Sequence, residues 1–161
     1  MPYHSPSQTL ITDLNGRVLT ITLNRPDSLN ALLPEMITAI GDIVSAADSD
    51  RNISVIVIQG AGRAFSAGVD LKILKGSRPH AGKIGDAFDK PASVAWRAIR
   101  QSSCPVIAKV HGACFTGALE LVLHCDLIYT TVDTKFGDTH AKFGLRPTWG
   151  MPQTLSRAIG V

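Results

Sequence analysis

Ile53-Ser54-Val55-Ile56-Val57-Ile58, closed by Gly60 and Gly62, is the stretch on which the fold turns. A nearly unbroken run of β-branched apolar residues predicts a strand buried on both faces, as in a parallel sheet. Upstream, residues 9–14 and 18–23 flank Asn15-Gly16, a strong signal for a two-residue hairpin. In the second of these strands Leu19, Ile21 and Leu23 alternate with Val18, Thr20 and Thr22, giving one apolar and one mixed face. A loop broken by Pro26 follows. Pro34 then opens a helix at a position where its missing N–H is not needed, with Glu35 in the first turn. Met36, Ile37, Ile40, Val44 and Ala47 recur at helical spacing and are expected in the core. Downstream, the pattern predicts a helix over residues 84–100 with Phe88, Val94 and Ile99 as apolar contacts. A strand at 106–110, a short helix at 117–123 and a third parallel-type strand at 127–129 come next. A last helix is expected over 149–159, capped by Gly160. Strand and helix alternate, so the fold class is α/β. With no fixed-period repeat and no linker, residues 1–161 read as one domain.

Composition excludes several alternatives. Of 161 residues, 45% are hydrophobic and 18% charged, a globular balance incompatible with a disordered or collagen-like chain. Sixteen Lys+Arg against 13 Asp+Glu give a net charge of +3. The excess is scattered rather than blocked, so no nucleic acid partner is implied, although it suits an anionic small ligand. Cys104, Cys114 and Cys125 contain no C-x-x-C spacing and read as buried thiols rather than a zinc site or disulfide frame. No run approaches the ~18 apolar residues of a membrane span. The opening Met1-Pro2-Tyr3-His4-Ser5-Pro6-Ser7 lacks a basic-then-apolar leader pattern. The expectation is a cytoplasmic protein with no membrane partner.

Gly60-Ala61-Gly62 after a strand invites a dinucleotide-binding reading, but the sixth position of that fingerprint is Phe65, too bulky for close helix–strand packing. No phosphate-binding P-loop is present, and Ser66 lacks the first glycine of a nucleophile elbow. Two other turns carry more. One is Ala64-Phe65-Ser66-Ala67-Gly68-Val69-Asp70-Leu71-Lys72; the other is His111-Gly112-Ala113-Cys114-Phe115-Thr116-Gly117-Ala118-Leu119-Glu120. Gly68 and Gly117 allow a ligand close to the backbone and leave the Val69 and Gly117 amides free to donate. Converging amides of this kind form an oxyanion hole. Ordinary strand-to-helix turns would look the same at this level.

With Leu23-Asn24-Arg25-Pro26 and Asn30-Ala31-Leu32 added before them, and Cys125-Asp126 after, these turns give the chain a resemblance to the enoyl-CoA hydratase/isomerase (crotonase) superfamily, from about residue 9 to the last. The resemblance implies a spiral of ββα repeats with parallel-type sheets and flanking helices around an acyl-CoA site. It implies that the Val69 and Gly117 amides hold the thioester oxygen. It also places Ser28, Leu29 and Ala31 at the adenine end of coenzyme A and Lys72 near its phosphates. No permanent cofactor is implied; coenzyme A arrives as part of the substrate thioester. Family hydratases use two glutamates around one water, and Glu120 matches the first of them. Its spacing from Gly117 puts it on the same helix face as the amide, and its apolar neighbours predict burial and a raised pKa.

The chain departs from the family where the second glutamate would stand. Phe136-Gly137-Asp138-Thr139-His140 places His140 there, a residue able to move a proton near neutral pH. Asp138 either orients that proton or caps a turn. Thr116 and Ala118 stand where many members have glycine, and Thr116 could narrow the site. Trp149 either closes the acyl pocket or packs against the terminal helix. His4 and His80 read as loop residues; His111 and His124 lack ligand spacing, so no metal is expected. The resemblance also implies further helices after the last residue that close the acyl pocket and build a homo-oligomer, a trimer or dimer of trimers. Without them apolar surface is expected to stay exposed. The best functional reading is hydration of a 2-enoyl-CoA. Isomerase, decarboxylase or thioester hydrolase chemistry is the alternative raised by His140. A non-catalytic acyl-CoA-binding or oligomerising module is the third.

Overall fold

The hairpin forms as its Asn-Gly turn dictates: β1 (Leu10–Asn15) runs antiparallel to β2 (Val18–Leu23), with Gly16 at φ +59°. The computed structural model describes residues 3, 7–74 and 81–160. His4, His80 and most of the opening segment read for a leader lie outside the described residues. Strand β2 continues into a parallel sheet with β3 (Val55–Gly60), β4 (Val106–Val110) and β6 (Leu127–Thr130), in the order β1-β2-β3-β4-β6. The expected α/β class with a largely parallel sheet is therefore present.

One face of this sheet is the core. Ile21, Ile58 and Ala108 stand side by side in register and are fully buried. The adjacent row of Thr20, Val57 and Ile107 is only half-buried. The β-branched run thus forms the expected strand but is not buried on both faces: one row is packed and its neighbour is partly open.

Helix α1 (Pro34–Asp48) buries Met36, Ile37, Ile40, Val44 and Ala47, as the spacing predicts. It lies across α3 (Asp86–Gln101), and the backbones approach closely at Gly41, where a Cβ would stand 2.9 Å from the Ala95 Cα. On α3 the buried line is Phe88, Ala92, Ala95, Trp96 and Ile99. Val94, expected to join it, is 63% exposed. It sits two residues from both Ala92 and Trp96, about 200° round the helix and so on the opposite face.

Two elements place the site. A one-turn helix, α2 (Leu71–Leu74), follows the first glycine turn. Strand β5 (Ala113–Phe115) leads into α4 (Gly117–Val122) and pairs in parallel with β7 (Lys135–Gly137) in a second, two-stranded sheet. Single bridges Ser66↔Cys114 and Leu32↔Val69 sew the first turn to β5 and to the loop before α1. The last helix, α5, is Met151–Ile159. It starts two residues later than expected because Gly150 takes a left-handed φ of +99° and breaks the chain after Trp149. Cys104 and Cys114 are buried and Cys125 half-buried, all as free thiols. All four residues of β6 are exposed, as are Phe143 and Ile159. Among the described residues no helix is long and apolar enough to cross a membrane.

Candidate active site

The first turn is held by a buried polar lattice. Leu29 and Asn30 both take left-handed backbone (φ 49° and 53°), which Asn tolerates better than most residues. Asn30, fully buried, accepts the Arg25 backbone N–H at 2.8 Å and donates to the carbonyls of Ala61 and Ala64, each at 2.8 Å. The Ser66 hydroxyl donates to the Asn30 carbonyl at 2.8 Å and accepts the Gly68 N–H at 3.2 Å. Asp70 pairs with Arg25 at 3.0 Å and accepts the Lys72 N–H at 3.0 Å. Leu32 donates to Gly68 O and accepts from Asp70 N. These bonds pass over the Val69 N–H, which has no acceptor among the described residues; nor has the Gly117 N–H.

Arg25, Asn30 and Asp70 lie in the motifs quoted for the resemblance but outside the expected site residues. Their signal was available. Polar residues that fit an apolar loop only by hydrogen-bonding its backbone are expected to be buried and satisfied.

The two turns frame a cavity of about 470 Å³, lined among others by Ser28, Ala31, Val69, Lys72, Thr116 and His140. Five of the eight sequence-derived site residues therefore share one space. Leu29 is in the same loop but not in that lining; its carbonyl instead accepts the Ala67 N–H at 2.9 Å. Gly117 and Glu120 border the cavity through their neighbours Thr116 and His140.

Glu120, in the first turn of α4, is 1% exposed. Its Oε1 accepts the backbone N–H groups of Trp149 at 2.9 Å and Met151 at 3.2 Å. Its Oε2 lies 3.6 Å from His140 Nε2. Burial pushes the Glu120 carboxyl up to about 7, against the pull of those two N–H donors and with a further push from the charges of Asp138 and Asp89. His140 is itself buried, in a single 3-10 turn, with Nδ1 at 2.7 Å from Asp138 Oδ1. Its backbone N–H donates to the same oxygen at 3.0 Å. Burial works to raise Asp138, but the hydrogen bonds from His140 and the ring's charge outweigh it and hold the carboxyl below its ordinary value. An ionised Asp138 only accepts, so Nδ1 must carry the proton. In the neutral ring the bare nitrogen is then Nε2, facing Glu120.

Trp149 is buried between the second turn and α3. Its ring lies on Gly117, where an added Cβ would be 2.7 Å from the ring, and meets Trp96 of α3 edge-on at 5.6 Å. Its Nε1 donates to Asp89 at 3.0 Å. The ring thus backs the Gly117 turn while the backbone N–H holds Glu120. Among the described residues no three His, Cys, Asp or Glu side chains form a group able to hold a metal ion.

A sheet of this topology with two glycine turns and a buried carboxyl beside them points to one class. Residues 13–161 match the family described as enoyl-CoA hydratase/isomerase, and the chain belongs to that family, the crotonase superfamily. Among curated relatives it is 37% identical over 146 residues to a probable peroxisomal enoyl-CoA hydratase of Arabidopsis thaliana, covering 91% of this chain and 53% of that one. It is 37% identical over 152 residues to a probable enoyl-CoA hydratase of Mycobacterium leprae, covering 94% and 57%. Among solved structures, an enoyl-CoA hydratase from Mycobacterium avium subsp. paratuberculosis superposes with a TM-score of 0.87 at 30% identity, covering 98% of this chain and 61% of that one. The chain spans little more than half the length of the relatives it matches.

Proposed function

We propose that this chain carries the catalytic core of an enoyl-CoA hydratase, adding water across the double bond of a 2-enoyl-CoA. The observation that supports it most is the pairing of Glu120 with His140 across 3.6 Å beside two amides that have no acceptor among the described residues. Coenzyme A enters as part of the substrate, its arm along the cavity lined by Ser28, Ala31 and Lys72, with Leu29 in the same loop. The thioester oxygen accepts from the Val69 and Gly117 amides, an arrangement that stabilises the enolate more than the ground state.

Water is deprotonated by His140 Nε2 as its oxygen attacks the β-carbon. Asp138 stabilises the imidazolium through Nδ1. The Glu120 carboxyl, with a pKa near neutrality, delivers its proton to the α-carbon. Transfer of the His140 proton across to Glu120 resets both groups, so the net change is one H and one OH added to the alkene. A homo-oligomeric state, trimer or dimer of trimers, and a cytoplasmic location belong to the same proposal.

A second reading is favoured by Asp138–His140. A histidine oriented by a carboxylate can also direct water at the thioester carbonyl, which would make the enzyme a thioester hydrolase. The test is crotonyl-CoA conversion by the wild type and by His140→Glu, with products identified. Loss of enoyl absorbance with 3-hydroxybutyryl-CoA as product is the expected result. Release of free coenzyme A supports the second reading. Tight binding without turnover by the wild type, and turnover by His140→Glu, would overturn the role of His140.

A further inference from the structure

Thr116 holds a backbone conformation that a β-branched residue rarely adopts, φ 49° and ψ −120°. Of the four non-glycine residues with positive φ among those described (Leu29, Asn30, Ala81 and Thr116), it alone is β-branched. Its backbone is tied on both sides: the N–H donates to Gly137 O at 2.9 Å, and the carbonyl accepts the Glu120 N–H at 3.0 Å. Those bonds hold the strained turn and fix where the side chain goes.

The side chain goes between the two turns. Thr116 is 7% exposed, and its hydroxyl oxygen fills the space a Cβ on Gly68 would occupy, so that glycine is required there. Gly68 precedes Val69 and Thr116 precedes Gly117, so the hydroxyl stands against the residue before one amide and belongs to the residue before the other. The same residue lines the cavity with Val69 and His140. Yet the hydroxyl has no hydrogen-bond partner among the described residues. Unlike Trp96 Nε1 and His124 Nδ1, which are closed off without a partner among the described residues, this hydroxyl is open to the cavity, where a ligand can supply its partner.

We propose that the Thr116 hydroxyl is a third hydrogen-bond donor to the thioester oxygen, beside the Val69 and Gly117 amides. This rests on the reading of the cavity as an acyl-CoA site. A hydroxyl can turn its single proton toward the oxygen as charge develops there, so its contribution grows from ground state to enolate. The methyl fills the remaining space and keeps the rotamer, which distinguishes threonine from serine only in packing.

The experiment uses Thr116→Val, which keeps shape and removes the hydroxyl, with Thr116→Ser and Thr116→Gly alongside. Two readouts are taken: crotonyl-CoA kinetics, and the ultraviolet enolate band of bound acetoacetyl-CoA, which reports oxyanion stabilisation without needing Glu120 or His140 to act. Thr116→Val is expected to lower kcat at least tenfold with KM within twofold, and to lower the bound enolate fraction in parallel. Thr116→Ser should retain most of both. Thr116→Gly should match valine in kcat while melting no lower than the wild type, because the strain is relieved. Valine or glycine performing like wild type overturns the inference, as does a loss confined to KM or a serine variant as poor as valine. If the wild type shows the enolate band but hydrates nothing, the hydratase reading fails and the band alone decides Thr116. If acetoacetyl-CoA does not bind the wild type, both fall.

Discussion

The two turns that frame the cavity are built on different terms. Around Gly68 the polar side chains are paired: Asn30 and Ser66 bond backbone groups of the surrounding loops, Asp70 bonds Arg25 and the Lys72 N–H, and the Val69 N–H has no acceptor among the described residues. Around Gly117 the polar groups are unsatisfied or shared. The Thr116 hydroxyl has no partner among the described residues, Glu120 is buried with a proton held to about neutrality, and His140 faces it beyond hydrogen-bonding distance. The first turn is scaffold, and its motif reads as a rigid template. The second carries the buried pair Glu120 and His140, and in the proposed function it is where protons move. A fully satisfied network rigidifies; an unsatisfied one keeps chemistry available.

Breaking the scaffold turn should produce the largest effect. Asn30→Ala strands the Arg25 N–H and the Ala61 and Ala64 carbonyls in the interior and puts alanine in left-handed backbone. At about 1–3 kcal/mol for each buried group left unpaired, the loss is expected near 4 kcal/mol by urea unfolding. Asn30→Gly, which accepts the backbone angle, separates the lost bonds from strain and should recover less than about 1 kcal/mol. A loss under about 1 kcal/mol for both variants would mean that the Asn30 lattice is not what holds the first turn.

The second turn is next, through pH. Glu120 is raised from 4.5 to about 7 on folding, so between those values the native state keeps a proton the unfolded chain has released. Stability from this group is complete below pH 4.5 and is lost as pH rises through 7. A shift of this size corresponds to about 3 kcal/mol. The difference in unfolding free energy between wild type and Glu120→Gln should therefore change by about that amount from pH 4 to 8, the wild type losing ground as pH rises. A flat difference would mean that Glu120 ionises in the native state as it does in the unfolded chain.

Much of this organisation is legible in the residues. The hairpin follows from Asn15-Gly16, α1 from its apolar spacing, and the positions of both glycine turns from strand-end motifs. Legibility stops where tertiary packing decides. Val94 looks like a core residue by type, but helix geometry puts it opposite Ala92 and Trp96. Residues 53–58 look doubly buried, but the row shared by Thr20 and Val57 is only partly covered. In the site, Glu120 and His140 are readable by position, whereas the backbone donors of Trp149 and Met151 to Glu120 are not. They come from a segment whose path depends on the left-handed Gly150, and no side-chain pattern announces main-chain N–H groups.

The smallest expected effect sharpens the contrast within the second turn. Asp138 is 40% exposed at its side chain, and its Oδ1 accepts both the ring and backbone N–H of His140. Asp138→Asn can keep that oxygen in place, so the ring stays oriented and Nε2 still faces Glu120. What it removes is the negative charge that, in the proposed hydration, stabilises the imidazolium formed when water is deprotonated. Because solvent screens so exposed a carboxylate, the loss should be modest, about tenfold in kcat, with KM unchanged and the melting temperature within a few degrees. Asp138→Ala also frees Nδ1, letting the ring turn and the proton settle on either nitrogen, so it should lose another several-fold. If the asparagine and alanine variants fall equally, Asp138 acts through its charge alone. If asparagine matches the wild type while alanine falls, its role is to aim the ring, and the first turn's logic of satisfied scaffolding extends to the residue that holds His140.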